Sequence, residues 1–223
     1  MEKVGRIEVL KKYIDKYSLS NIFDDHSIEE IELHRYEADE MILIENSERN
    51  YFYILVEGRA RVSPSSEEGK FVLLDYLQPI DILGDIEYIF NDKYYHNVKA
   101  LVKTTLIAIP IKTLESYLSN NIYFYKFICE RMACKIRSTS IKYSRALLYP
   151  LKSRLAKYFY DLADGTNGAI KVKFKQTAEY FGISPRHLRR IVVELEETGI
   201  IKRSNGKIIV LDSERLKDEA SYL

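Results

Sequence analysis

The strongest amphipathic pattern in the chain lies at residues 177–197. Apolar residues recur there at helical spacing on both sides of Gly182, so the segment predicts two short helices, each with one apolar side. Gly182 can adopt the left-handed backbone of a helix C-cap, and Ser184 followed by Pro185 is typical of an N-cap and a first helical residue. The pattern therefore predicts a tight turn between the helices. Its apolar positions are Ala178, Phe181, Ile183, Leu188, Ile191, Val192 and Leu195.

Basic side chains occupy the polar face where the second helix begins. An exposed helix N-terminus with three arginines resembles the recognition helix of a helix-turn-helix, which enters the DNA major groove by that end. The alternative is a helical hairpin whose arginines are merely solvated. Because cap, turn, apolar periodicity and cation placement agree, DNA binding is favoured. The candidate DNA-binding residues here are Ser184, Pro185, Arg186, His187, Arg189 and Arg190.

Two apolar-rich runs, residues 200–203 and 207–210, follow these helices around Ser204-Asn205-Gly206. Such a spacing predicts a β-hairpin. Two helices followed by a basic hairpin make a winged helix-turn-helix, and we expect the hairpin cations to contact DNA phosphates. These cations are Lys202, Arg203 and Lys207.

In residues 31–110 the sequence pattern changes to short β-rich runs separated by turn residues. The runs are IELHRY, MILI, YFYILVE, RARV, FVLLDYL, NVKALV and TLIAIP. Their spacing predicts an antiparallel sandwich or small barrel of jelly-roll size. Gly58 is typical of a tight turn between two runs, and Glu68-Gly69 of a hairpin.

Residues 1–30 predict two weak helical segments without an assigned function. In the first, Ile7, Leu10 and Ile14 are spaced for one apolar face. Asp25 or Ser27 is the expected cap of the second.

A short helix is predicted at residues 113–118, and a long one from Asn120 or Asn121 to about Leu148. Steps of three and four residues define a stripe along the long helix. Such a stripe usually joins a core, but a helix between two domains has little core to join, which favours a symmetric coiled-coil seam. The stripe consists of Tyr125, Ile128, Met132, Ile136, Thr139, Tyr143 and Ala146.

Pro150 breaks the long helix and can open the next one as its first residue. That next helix should end at Asp164-Gly165, and a turn at Thr166-Asn167-Gly168 should lead to a strand at 170–174. Gln176 or Thr177 should then start the helix-turn-helix. The predicted domains are a sensor domain at 1–119, a dimerisation helix and hinge at 120–149, and a DNA-binding domain at 150–223.

Charge is unevenly distributed along the 223 residues, although the formal net charge is only +1. Residues 1–119 carry a net charge of −8, residues 120–149 of +5, and residues 150–223 of +4. Nucleic acid should therefore be repelled by the N-terminal part and attracted by the C-terminal part. With 46% hydrophobic and 30% charged residues, the composition is that of a globular protein.

Apolar runs of membrane-spanning length and a signal peptide are both absent from the sequence, which predicts a cytoplasmic protein without membrane contact. Cys129 and Cys134 lie about 140° apart on the long helix, so the pair is not a disulfide framework or a chelating site. They are core or interface thiols, or they act in redox chemistry across a dimer interface. A cupin-like metal oxygenase is the enzymatic alternative, but the β-rich region offers only His34 and His96, without an H-x-H pair. The sequence thus favours a protein that is not an enzyme.

The order of β-domain, long helix and winged helix-turn-helix resembles the cyclic-AMP receptor protein / fumarate-nitrate reductase regulator (CRP/FNR) family. The resemblance covers nearly the whole chain. It is carried by YILVEGRARV at 53–62, LGDIEYIF at 83–90, the long helix, and GISPRHLRRIVVELEETGIIKRSNGKIIVL at 182–211. The segments EGRARV, GDIE and QTAEYFGISPRHL are most similar to the YeiL-like branch. The family implies an α+β fold: a cyclic-nucleotide-binding-like β-roll (jelly roll), a long dimerisation α-helix and a C-terminal winged helix-turn-helix.

In nucleotide-binding members of the family, a cassette with glycine, an acid and an arginine binds the cyclic nucleotide. Gly84, Asp85 and Ile86 match its start, but His96-Asn97 stands at or near the arginine position. Neither side chain reproduces the bidentate contact of an arginine. The resemblance also places the hydroxyls Thr139 and Ser140 toward the ligand. We therefore expect an effector other than cyclic AMP, or none, and leave cofactors unassigned, since two cysteines cannot hold an iron–sulfur cluster within one chain.

The family also implies a homodimeric transcription regulator that binds a pseudo-palindromic double-stranded DNA operator and has RNA polymerase as a further partner. Arg186 or Arg190 is the expected guanine contact. Pro185 replaces a base-reading arginine of well-studied members, so we expect a different operator. In the alternative, the protein binds DNA without an effector, and its β-roll serves only for dimerisation or interaction.

Overall fold

The structure is a computed structural model that describes residues 1–5, 7–64, 74–163, 168–204 and 206–220. These residues form two compact units, Met1–Cys134 and Lys135–Leu223. The boundary falls within one long helix. The finer division into 1–119, 120–149 and 150–223 stays a prediction.

The first unit is a β-roll of two antiparallel sheets. One sheet has the strand order β1-β2-β9-β4-β7, and the other the order β3-β8-β5-β6. The strands are β1 (Glu2–Lys3), β2 (Glu32–Tyr36), β3 (Met41–Leu43), β4 (Tyr51–Glu57), β5 (Ala60–Ser63), β6 (Asp75–Leu77), β7 (Ile82–Leu83), β8 (Asn97–Ala100) and β9 (Thr104–Pro110). Every predicted β-run overlaps one of these strands, whereas the very short β1 and β7 were not predicted.

The five-stranded sheet is covered on both faces, which explains why β4 and β9 are almost wholly apolar. Tyr53 and Leu55 point to a core between the two sheets. Their neighbours Phe52 and Ile54 point to a second core that the helices complete. Because successive residues of a strand face opposite sides, both sets must be apolar.

The helices of this unit are α1 (Ile7–Lys16), α2 (Asp25–Glu30), α3 (Asp85–Phe90), α4 (Ile111–Thr113), a π-helical turn (Leu114–Leu118), and α5 (Ile122–Leu148), which continues into the second unit. Leu10 and Ile14 of α1 are buried as predicted, but Ile7 is exposed. The predicted caps of α2 are wrong. Asp24 is the N-cap, and its side chain and that of Ser27 form a capping box.

The cap of α5 is Asn121, one of the two predicted residues. Its Oδ1 accepts hydrogen bonds from the backbone N–H groups of Tyr123 and Phe124, at 2.9 and 3.2 Å. The first turns of α5 pack on the five-stranded sheet, where the rings of Phe124 and Phe52 lie 5.6 Å apart. Ile128 of the predicted seam is therefore buried in this core.

The second unit contains α6 (Leu151–Ala163), β10 (Ala169–Lys171), α7 (Phe174–Phe181), α8 (Pro185–Glu197), β11 (Ile201–Ser204), β12 (Lys207–Val210) and α9 (Ser213–Glu219). Its sheet has the order β10-β12-β11. Several features differ from prediction. Pro150 precedes α6 instead of opening it, and α7 begins two to three residues early. The strand predicted at 170–174 is the shorter β10, and α9, capped by Asp212, was not predicted.

A few predicted turn residues cannot be compared with the structure. Glu68-Gly69, Asp164-Gly165, Thr166-Asn167 and Asn205 lie outside the described residues. Gly168 and Gly206, the last residues of two predicted turns, have positive φ angles of 75° and 72°.

Candidate nucleic-acid interface and effector cassette

The turn between α7 and α8 follows the sequence prediction closely. Gly182 has a φ of 66° and donates its N–H to carbonyls in the last turn of α7. Ser184 then caps α8, because its Oγ accepts from the backbone N–H of His187 at 3.1 Å. Pro185 is the first helical residue. Local chemistry thus fixes where α8 begins and leaves its N-terminal turn at the surface.

The helix α8 buries one face and exposes the other. Leu188, Ile191, Val192 and Leu195 lie in the core of the second unit. Pro185, Arg186, Arg189 and Arg190 are exposed, whereas His187 is half-buried. The apolar face anchors the helix, so the cationic face is held toward solvent on a rigid support.

Arg190 is held by contacts within α8. Its Nη2 donates to Nε2 of His187 at 3.1 Å, which requires that nitrogen to be unprotonated. Its Nε lies 3.8 Å from Glu194. These contacts limit the directions in which the guanidinium can reach outward.

The hairpin after α8 is formed by β11 and β12. Lys202 and Lys207 are exposed on it. Arg203 is placed differently, because its Nε and Nη2 each lie 2.7 Å from Oε2 of Glu196. Its backbone N–H also donates to Oε1 of the same carboxylate at 2.8 Å. These hydrogen bonds and the guanidinium charge hold the pKa of Glu196 below its usual value.

The candidate effector cassette begins at the junction of β7 and α3. Gly84 precedes α3 with a φ of 81°, and a Cβ at this position would lie 3.1 Å from the carbonyl oxygen of Tyr51. Asp85 is 3% exposed, so its carboxylate belongs to the interior, whereas Ile86 is exposed. The glycine is needed here for its backbone angle and for close packing on β4.

A tyrosine ring lies against this cassette glycine. A Cβ on Gly84 would be 3.5 Å from Cε1 of Tyr94. The Tyr94 hydroxyl donates to the Tyr51 carbonyl at 2.7 Å and accepts from the Tyr51 N–H at 3.3 Å. Burial raises the pKa of Tyr94 to about 12. Tyr94 is thus a neutral side chain built into the core beside the cassette.

The remaining predicted effector residues lie outside the junction of β7 and α3. Asn97 is half-buried in β8, where its Oδ1 accepts from the backbone N–H of Glu45 at 3.1 Å. His96 is half-buried beside the ring of Tyr95. Thr139 and Ser140 are exposed on the part of α5 that belongs to the second unit.

Arg49 contacts the cassette and was not identified from the sequence. Its Nη1 donates to the carbonyl of Glu87 at 3.0 Å, and its Nη2 donates to Oδ1 of Asn91 at 2.8 Å. The guanidinium also lies 5.7 Å from the ring centre of Tyr88. A cation at the carbonyl end of α3 stabilises that end. About forty residues separate Arg49 from these partners, so no local pattern could have revealed it.

A buried polar network in β2 and β4 was also missed. His34 is fully buried, with Nε2 2.6 Å from Oε2 of Glu32 and Nδ1 3.3 Å from the Tyr53 hydroxyl. Glu32 is also bound by Lys3 and by the Tyr51 hydroxyl. Burial lowers the pKa of His34, although Glu32 opposes that shift.

Among the described residues, no group of three His, Cys, Asp or Glu side chains is placed to hold a metal ion. Among the described helices, none is long and apolar enough to cross a membrane.

Comparison with known proteins identifies both units. The cyclic nucleotide-binding domain family matches residues 33–121, and the Crp-like helix-turn-helix domain family matches residues 153–219. The regulatory protein YeiL of Escherichia coli O157:H7 is 25% identical over 80% of this chain and 81% of its own length. The cAMP-activated global transcriptional regulator CRP of Haemophilus influenzae is 24% identical over 80% of this chain and 83% of its own length.

Solved structures share the fold. A regulator assigned to the Crp/Fnr family from Eubacterium rectale superposes with a TM-score of 0.74 at 18% identity, covering 94% of this chain and 99% of that one. A Crp/Fnr-family regulator from Thermus thermophilus gives a TM-score of 0.65 at 20% identity, covering 85% and 98%.

Proposed function

Because the chain belongs to the CRP/FNR family of DNA-binding transcription regulators, we propose that it acts as a homodimer on a pseudo-palindromic operator. The observation that carries the proposal is the Ser184-capped N-terminus of α8, which presents Arg186, Arg189 and Arg190 to solvent. Two such helices would enter the major groove about one helical turn apart. The relatives named above are regulatory proteins or transcriptional regulators, which supports a protein that is not an enzyme. RNA polymerase is a further partner in this proposal.

Arginine–guanine pairing supplies the sequence preference in this proposal. Arg190 is the stronger candidate, because His187 and Glu194 restrict its guanidinium before DNA arrives. Arg186 is the other. Lys202 and Lys207 would contact phosphates, which fix position and carry no sequence information. Pro185 cannot donate a hydrogen bond to a base, so the operator should differ from that of members with arginine there.

The sensor domain takes an effector other than cyclic AMP in this proposal. None of the predicted cassette residues carries a guanidinium that could bind a cyclic phosphate through two hydrogen bonds; these residues are Gly84, Asp85, Ile86, His96 and Asn97. In addition, the ring of Tyr94 lies against Gly84. The buried Asp85 and the tyrosine-rich interior equally support the alternative, a regulator without an effector whose β-roll serves dimerisation. Thermal-shift screening separates the two, because a bound effector raises the melting temperature by linkage. An effector gives a concentration-dependent shift, and a flat response across nucleotides and small acids supports the alternative.

The DNA-binding proposal is tested by comparing two substitutions on selected and random duplexes. Arg190→Ala should reduce the preference for the selected operator by about 1–3 kcal/mol, and Lys207→Ala should weaken both duplexes alike and lower the salt slope by about one. Fluorescence anisotropy at several salt concentrations measures both quantities. Equal losses on both duplexes for Arg190→Ala would contradict the assignment of that residue.

A further inference from the structure

Arg203 and Glu196 join the hairpin to the C-terminal turn of α8. Glu196 contacts one residue through both of its carboxylate oxygens. Its Oε2 accepts from Nε of Arg203 at 2.7 Å and lies 2.7 Å from Nη2, and its Oε1 accepts from the Arg203 backbone N–H at 2.8 Å. Because the side chain of Arg203 meets one oxygen and its backbone N–H the other, the contact fixes the orientation of the carboxylate as well as its distance. The added backbone bond ties β11 itself, and not only a flexible side chain, to the helix.

This geometry conflicts with a phosphate-binding role for Arg203. A guanidinium whose Nε and Nη2 already bind a carboxylate has its charge largely compensated. If the Arg203 guanidinium bound a phosphate instead of Glu196, the Glu196 carboxylate would lie near the DNA backbone without a cation. The carboxylate and the phosphates, both negatively charged, would then repel each other. Lys202 and Lys207 are exposed on the same hairpin, and Lys202 acts on Glu196 through its charge alone.

We propose that Arg203 is a positioning residue, which together with Glu196 sets the angle of the hairpin on α8 so that Lys202 and Lys207 reach the phosphates. This inference rests on the proposed DNA-binding function and gives Arg203 a different role within it. The two lysines then act through charge, whereas Arg203 acts through geometry.

The first arm of the test needs no DNA. Hydrogen–deuterium exchange of the full-length protein should show faster exchange at the Arg203 amide and along β11 and β12 in Glu196→Gln than in the wild type. The matched control is Glu197→Gln, which removes the same charge from the next, exposed residue. Equal exchange in Glu196→Gln and the wild type would overturn the inference.

The second arm measures operator affinity. Removing a negative charge near DNA normally strengthens binding, so Glu197→Gln should bind as well as the wild type or slightly better. Glu196→Gln should instead bind about three- to tenfold more weakly, because the hairpin loses its anchor. Arg203→Lys, which keeps the charge but not the paired geometry, should show a similar loss.

Salt dependence and a double substitution complete the test. Arg203→Ala should leave the salt slope unchanged, and Glu196→Gln/Arg203→Ala should lose no more affinity than either single variant. A slope lowered by about one in Arg203→Ala, or additive losses, would assign Arg203 to a phosphate and overturn the inference. A wild type that binds no DNA would overturn the proposed function, and the exchange arm would still decide whether the two residues hold the hairpin.

Discussion

His34 is an ordinary strand position in the sequence, but in the structure it lies fully buried between the Glu32 carboxylate and the Tyr53 hydroxyl. Its partners come from β2 and β4, and Lys3 of β1 and Tyr51 contact Glu32 from the outside. Burial favours the neutral imidazole, so protonation is more costly in the folded than in the unfolded chain.

This burial predicts a pH dependence of stability. The pKa of His34 is lowered from its ordinary value of 6.5. The unfolded chain therefore binds a proton first, and stability should be complete above pH 6.5 and fall as the pH drops toward the folded pKa. Denaturant unfolding of the wild type between pH 7.5 and 5 should show this loss, and His34→Gln should flatten it. His26→Gln, at an exposed position, is the control; a flattened slope there as well would refute the assignment.

Gly58 is a position where the backbone leaves no room for a side chain. Its φ is 91°, and a Cβ would lie 2.5 Å from the carbonyl oxygen of Lys103 and 2.7 Å from Cα of Thr104. Gly58→Ala should lower the free energy of unfolding by roughly 2–4 kcal/mol. Gly182 has a φ of 66° but open space around it, so Gly182→Ala should cost only about 1 kcal/mol. Equal losses in the free energy of unfolding of the two variants, measured by chemical denaturation, would show that the positive φ angle, and not the steric clash, determines the cost.

Residues whose partners are near in sequence were predictable, and those with distant partners were not. Ser184, Gly182 and Asn121 act on backbone groups within three or four positions, so cap and turn rules identify them. Tyr94 and Arg49 meet partners about forty residues away. Only the folded sheet brings those groups together, and a single sequence carries no signal of it.

At the scale of elements, periodicity identified α5 but not which side of it faces the domain core. The stripe of steps of three and four includes Ile128, which packs under the five-stranded sheet, and Ile136, which is 66% exposed. Both positions obey the same spacing. A buried stripe and an interface stripe look alike in sequence, since each needs only apolar side chains on one helical face.

The proposed dimer predicts a disulfide pattern that the chain can report itself. Cys129 is exposed and lies seven residues before Ile136, at the same heptad position, whereas Cys134 is exposed about 140° away around the helix. In a parallel two-fold coiled coil, identical positions on the seam face each other closely enough for a disulfide. Mild oxidation with diamide should therefore cross-link Cys134→Ser into a dimer.

The complementary variant is the control. The Cys129→Ser variant keeps one exposed thiol, Cys134, on the other side of α5, and it should stay monomeric on a non-reducing gel. Cross-linking of Cys129→Ser, with none in Cys134→Ser, would place a different face of α5 at the interface.

For the whole molecule, charge and element order along the chain distinguish an acidic β-rich part from a basic helical part. The acidic first part carries the β-roll, and the basic last part carries the winged helix-turn-helix. Those features are additive along the sequence and can be counted. Whether the β-roll can bind a ligand, by contrast, depends on how β4, β7, α3 and the segment around Tyr94 meet, and no count along the chain contains that information.

The homodimer proposal also fixes how DNA half-sites must be spaced. Two recognition helices linked through a rigid seam should bind half-sites about 10 base pairs apart from centre to centre. An operator selected from a random duplex library should accordingly contain an inverted repeat.

Inserting five base pairs at the centre of this operator turns one half-site to the opposite side of the duplex. The affinity should then fall toward that for random DNA, a loss of about a thousandfold or more. Inserting a full helical turn of DNA returns both half-sites to the same side of the duplex but increases their separation, so a rigid dimer should bind this operator more weakly too. Unchanged binding to both inserted operators, measured by fluorescence anisotropy at one fixed salt concentration, would mean that each protomer binds its half-site independently.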